Sequence, residues 1–144
     1  MLKSFSPRLA FGLGLLLGVF RVAANAGDYL PFNPAFRTTM GIVGTAGTVG
    51  VAVWLGFVLA PRRDWALAVF ANGAVMQALS VLVRVGLRLA MVPGGFRGGA
   101  TVAILLVLAV LSGALLGAVL VGFAWALRRF GFVRPEPDSD PPAE

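Results

Sequence analysis

Three long stretches of this chain carry no charged side chain at all. Residues 38–61 (24 residues), 65–83 (19 residues) and 98–127 (30 residues) are uncharged, and each is rich in Leu, Val, Ala and Gly. About 20 apolar residues wound as a helix cross the roughly 30 Å of hydrocarbon in a bilayer. In that medium every backbone N–H and C=O must be paired within its own segment, so an uninterrupted run of this length is driven to be helical. The remainder of the chain reinforces the inference. Hydrophobic residues make up 58% of its 144 residues and charged residues 12%, about half of the usual charged fraction. A soluble domain of this size could not hide so much apolar surface.

A fourth apolar run, 9–26, is interrupted by Arg21. With Lys3 and Arg8 ahead of it and Ala24-Asn25-Ala26 at its end, it also has the layout of a secretory signal peptide. Retained, it is a first membrane helix. The expected fold is therefore an all-α, four-helix transmembrane bundle with short loops. Its helices are expected at about 9–26, 34–60, 65–91 and 101–130, antiparallel from one to the next, within one domain of residues 1–133.

Local signals place the boundaries. Asn33-Pro34 reads as an N-cap followed by Pro at the first helical position, and Pro61 closes that helix. Asp64 suits the start of the third helix, and Pro93-Gly94-Gly95 its end. Arg128 and Arg129 suit the negative C-terminal end of the fourth helix, and Gly131 the left-handed residue just past it. From 134 to 144 the chain is rich in Pro and acids (four prolines and four acids between Pro135 and Glu144), a composition that builds no packed core and reads as a disordered tail.

Charge placement sets the expected orientation. The twelve basic residues against six acids give +6, but the cations flank the apolar runs, which argues for membrane threading and against nucleic acid. Lys3, Arg8, Arg62, Arg63, Arg128, Arg129 and Arg134 fall on one side and only Arg37 and Arg97 on the other. Both termini are then expected in the cytoplasm, and the Arg- and Ala-rich usage points to a bacterial cytoplasmic membrane. Tyr29, Phe32 and Phe36, in the outward loop from Gly27 to Arg37, read as an interfacial aromatic anchor.

Two features bear on function. Gly73, Gln77, Ser80, Arg84 and Arg88 share one face of the third helix, and a polar stripe is costly against lipid, so it should face protein or water. Asn72 lies off the stripe and is expected to bond a neighbouring helix. Arg21, Arg37, Arg84, Arg88 and Arg97 gather toward the outer end with only Asp28 among them, an arrangement suited to an anionic lipid headgroup, a phosphate or an acidic partner surface. The second feature is small residues: Gly14 and Gly18 on the first helix, Gly41, Gly44, Gly47 and Gly50 on the second, and Gly113, Ala114, Gly117, Ala118 and Gly122 on the fourth. These permit the close backbone approach by which helices associate in lipid.

Several chemistries lose their usual carriers. With no Cys and no His there is no thiolate or imidazole to bind a metal or haem or to act as base. No Asp or Glu lies within a span, although proton-coupled transport generally uses such a group. No phosphate-binding loop, HExxH or GxSxG occurs. No catalytic, cofactor or metal site is expected. The expected role is a non-catalytic accessory or scaffold subunit that packs against other membrane subunits or itself, with membrane lipid at its Arg-rich end. The alternative is a small channel or transporter for an anion or an uncharged solute.

Overall fold

A computed structural model describes residues 6–25, 33–91 and 99–136, which are helical apart from short turns and irregular ends. Four helices follow in order: α1 (Pro7–Asn25), α2 (Pro34–Leu59), α3 (Trp65–Met91) and α4 (Gly99–Arg129). Three of them, α2, α3 and α4, are long and apolar enough to cross a membrane. At 19 residues, α1 is about 28 Å long.

The helix ends follow from local chemistry. The side chain of Asn33 accepts from Ala35 N at 3.0 Å, and Pro34 occupies the first turn of α2. The carbonyl of Asp64 accepts from Ala68 N at 3.0 Å, opening the hydrogen-bond ladder of α3. At the end of α4, Gly131 takes φ +75°. Phe132 N donates to Leu127 O at 3.0 Å and Gly131 N to Arg128 O at 3.3 Å, the paired bonds of a Schellman cap. Within the helices, hydroxyls donate to carbonyls of their own turn: Thr38 to Pro34, Thr39 to Ala35, Thr48 to Gly44 and Ser112 to Ala109. A polar atom that bonds its own helix can be carried into an apolar medium at low cost.

Glycines decide which helices become neighbours. A Cβ on Gly14 would stand 2.9 Å from the carbonyl oxygen of Met76, and one on Gly18 would stand 2.7 Å from Val83. These contacts advance together along α1 and α3, so this closely packed pair is parallel. Between α3 and α4 the contacts run in opposite senses, Gly117 against Phe70 and Gly113 against Ala74, so that consecutive pair is antiparallel; that α1 packs against α3 is what chain order does not reveal. On the opposite side of α3, Gly113 meets the carbonyl of Ala74, and Gly117 would place a Cβ 2.9 Å from that of Phe70. Helix α3 thus sits between α1 and α4, held on both sides by backbone-to-backbone approach. Gly73 belongs to this second seam, since its Cβ would meet Leu120 at 2.8 Å; it does not continue the polar stripe toward α1.

Helix α2 packs unevenly. Toward its C-terminus Ala52, Leu55, Gly56 and Leu59 are buried, with Gly56 against Phe123 and the Phe57 and Phe123 rings edge to face at 5.8 Å. In its first half Gly44 alone is buried, resting against Phe20 and Ala24 of α1. The core is formed by Leu17, Leu55, Leu59, Val69, Met76 and Leu120 with several alanines. The outer surface is no less apolar: Ile104, Val110 and Leu115 of α4 are 60–70% exposed. Such a continuous exposed apolar surface matches a lipid surround and not water.

The end that holds the Pro61–Asp64 turn is tied together. The guanidinium of Arg128 lies over the Trp65 ring at 5.2 Å, and Glu136 N donates to Pro61 O at 2.9 Å. The first residues of the expected disordered tail are therefore fixed to this turn, because the Schellman cap reverses the chain toward it; residues 137–144 lie outside the described residues.

Candidate functional site

At the opposite end, the splay of α2 away from α3 opens a cavity of about 320 Å³ lined by Arg21, Ala24, Gly41, Gly44, Thr45, Thr48, Val49 and Arg84. Its walls come from three helices. α1 supplies Arg21 and Ala24, α2 the small and hydroxylic residues, and α3 Arg84. The cavity exists because α2 touches α1 at Gly44 and then has no bulky side chain with which to fill the gap.

Arg21 is held from behind. Its Nη2 donates to Oε1 of Gln77 at 2.9 Å. Ser80, fully buried, donates to the Gln77 carbonyl at 3.0 Å and also approaches Gln77 Oε1 at 3.3 Å. The Gln77 amide oxygen, within reach of both the Ser80 hydroxyl and the Arg21 N–H, meets the Arg21 guanidinium from α3. A cross-helix bond of this kind carries weight where water is scarce, since each group would otherwise lack a partner.

Of the remaining residues singled out in the sequence, Arg88 is exposed one turn beyond Arg84, and Arg37 is exposed in the first turn of α2. Neither is among the described residues lining the cavity. Arg97, Asp28, Tyr29 and Phe32 lie outside the described residues, and the exposed Phe36 lies in α2. Gly14, Gly18, Gly44, Gly113 and Gly117 stand at helix contacts. Gly47 does not, because no atom lies within 4 Å of where its Cβ would be, and the same holds for Gly41, Gly50 and Gly122. Gly41 instead borders the cavity, Gly47 and Gly50 lie where α2 has no close neighbour, and Gly122 is a position of α4 with open space beside it.

Asn72 departs from expectation. Its Nδ2 donates to Ala68 O of its own helix at 2.8 Å and not to a neighbouring helix. Its Oδ1 is buried without a partner, a costly arrangement that hydrogen bonding usually avoids. Sequence inspection gave no sign of the Arg128–Trp65 stack or of the Gly56–Phe123 contact. The Arg21–Gln77 bond did leave a trace, since each residue interrupts an apolar run and polar groups in lipid need protein partners. Among the described residues no group of three or more His, Cys, Asp or Glu could hold a metal ion.

A second, smaller groove between α3 and α4 is lined by Leu82, Val85, Gly86, Leu89, Val102, Leu105 and Leu106. It offers no polar group to orient a ligand. No protein-family model, curated protein or solved structure matches this chain.

Proposed function

We propose that this chain is a small non-catalytic integral membrane protein that serves as an accessory or scaffold subunit, associating through helix faces with other membrane subunits or with itself. In this reading all four helices cross the bilayer of a bacterial cytoplasmic membrane. Both termini and the Pro61–Asp64 turn face the cytoplasm, and the Arg-rich end faces outward, against anionic lipid or a partner.

The observation that carries the reading is the open face of α2. Val43, Gly47, Gly50 and Trp54 follow at spacings of four, three and four, so they share one face. Val43 and Trp54 are exposed, and no atom lies within 4 Å of a Cβ built at Gly47 or Gly50. Elsewhere in this molecule glycines at such spacing are used for close helix contact. A face of this kind left open on a lipid-facing helix suits a second helix from another chain.

The test is chemical cross-linking and co-purification in a mild detergent. Gly47→Leu combined with Gly50→Leu fills the open face, and it should abolish cross-linked species while the helical content and thermal transition of the monomer stay as they were. A chain that is monomeric at every concentration in lipid, and that purifies without a partner, sinks the reading.

The cavity supports a second reading, a channel or transporter for an anion or an uncharged solute. Purified chain in liposomes should then pass solute, and Gln77→Leu should reduce the flux.

A further inference from the structure

We infer that the cavity between α1, α2 and α3 is a binding site for a phosphate oxyanion, carried either by an anionic lipid headgroup or by free phosphate. Its volume, about 320 Å³, lies in the range of ligand-holding clefts. Two guanidinium-bearing residues from different helices, Arg21 and Arg84, line it. No acidic residue is among the described lining residues. Two guanidinium groups with no carboxylate among the described lining residues favour a multidentate anion, which their planar forks can grip through paired N–H bonds.

Geometry makes this more than a charged surface. Gln77 Oε1 takes one N–H of Arg21, and the Ser80 hydroxyl lies 3.3 Å from the same oxygen. A guanidinium presents its N–H donors in a planar fork, and Arg21 lines the cavity while bonded to Gln77. The α2 wall has no bulk where an anion would sit. Gly41 has nothing within 4 Å of a Cβ position, and Thr45 is exposed at the same wall.

Depth selects the class of anion. Arg21 is four residues before the end of α1 and Arg84 seven before the end of α3, about 6 Å and 10 Å along a helix. That is where headgroup meets hydrocarbon, and the oxyanion abundant at that level of a membrane is phosphate.

The assignment rests on the membrane placement proposed above and not on the assembly role. The experiment uses the full chain reconstituted in phosphatidylcholine vesicles with and without phosphatidylglycerol. After gentle extraction, native mass spectrometry measures the lipid retained, with and without added inorganic phosphate. Phosphatidylglycerol should be retained in preference to phosphatidylcholine. Loss of charge-assisted bonds in Arg84→Gln should weaken retention roughly tenfold. Gly41→Leu, which keeps every charge but fills the cavity, should weaken it as well, whereas Arg62→Gln at the opposite end should not.

Retention that inorganic phosphate cannot compete away identifies the headgroup as the source, and displacement by inorganic phosphate identifies the free anion; both support the site. Equal retention of the two lipids together with no effect of phosphate overturns it. So does an unchanged Gly41→Leu, or an Arg62→Gln that behaves as Arg84→Gln does. Lost lipid selectivity with unaltered cross-linking sinks the anion site alone, and monomeric chain with intact selectivity sinks the assembly role alone.

Discussion

Arg21 Nη2 donates to Gln77 Oε1 at 2.9 Å, joining α1 to α3 across 56 residues of sequence. The bond lies along the seam that Gly14 and Gly18 make possible. Without that close approach, two interruptions of apolar helices would face lipid separately. With it, each satisfies the other, and the guanidinium is presented to the cavity in a defined position.

Gln77→Leu removes the acceptor but keeps most of the volume. Interhelical hydrogen bonds in membranes average about 0.6 kcal/mol and reach about 1.7, so a loss of about 1 kcal/mol in bundle stability is expected. Thermal unfolding in detergent measures it. Gln77→Glu, which keeps the acceptor, should retain most of the stability.

The α3–α4 seam gives a sharper contrast. A single Cβ at Gly113 collides with the Ala74 carbonyl, a backbone atom that cannot rotate away, while one at Gly122 meets nothing within 4 Å. Gly113→Ala should destabilise by about 1–3 kcal/mol, as overpacking does. Gly122→Ala should be neutral or stabilising by up to about 1 kcal/mol through helix propensity. Equal transition temperatures for the two variants would contradict this packing.

Asn72 is fully buried with an unpartnered Oδ1. An unsatisfied buried acceptor costs about 1–3 kcal/mol, and an apolar group of similar shape can remove that cost. Asn72→Leu is therefore expected to raise the thermal midpoint. A fall in the midpoint instead would indicate that Oδ1 has a partner when the protein sits in its native membrane.

Gly131 closes α4 with φ +75°, a conformation in which a side chain costs about 1–2 kcal/mol. Gly131→Val should fray the last turn of α4 and release Glu136 from Pro61. Hydrogen exchange should speed up at Phe132 and Glu136 and stay unchanged at the centre of α4.

The absence of native cysteine makes single-cysteine labelling clean. Thr38→Cys and Glu136→Cys alter no flanking arginine and lie at opposite ends of the bundle. In intact cells a membrane-impermeant maleimide should label the former and spare the latter. The reverse pattern would invert the proposed orientation.

Sequence alone determined that this chain is helical and apolar, and it marked where the helices begin and end. Those properties follow from local and bulk terms: uncharged runs of sufficient length, Asn33-Pro34 at a start, and Gly131 at a stop. They depend on how each segment interacts with its solvent and its own backbone, which composition and spacing record directly.

Which faces meet was settled only in three dimensions. Glycines recur on three helices at similar spacing, yet Gly14, Gly18, Gly113 and Gly117 lie in helix seams while Gly47 and Gly50 have open space beside them. Nothing in their local sequence distinguishes them, because lipid solvates apolar faces nearly equally and leaves the choice to the fit of one backbone against another. The same choice brought α1 against α3, let the first half of α2 lean away, and so opened the cavity that brings Arg21 and Arg84 to a common wall.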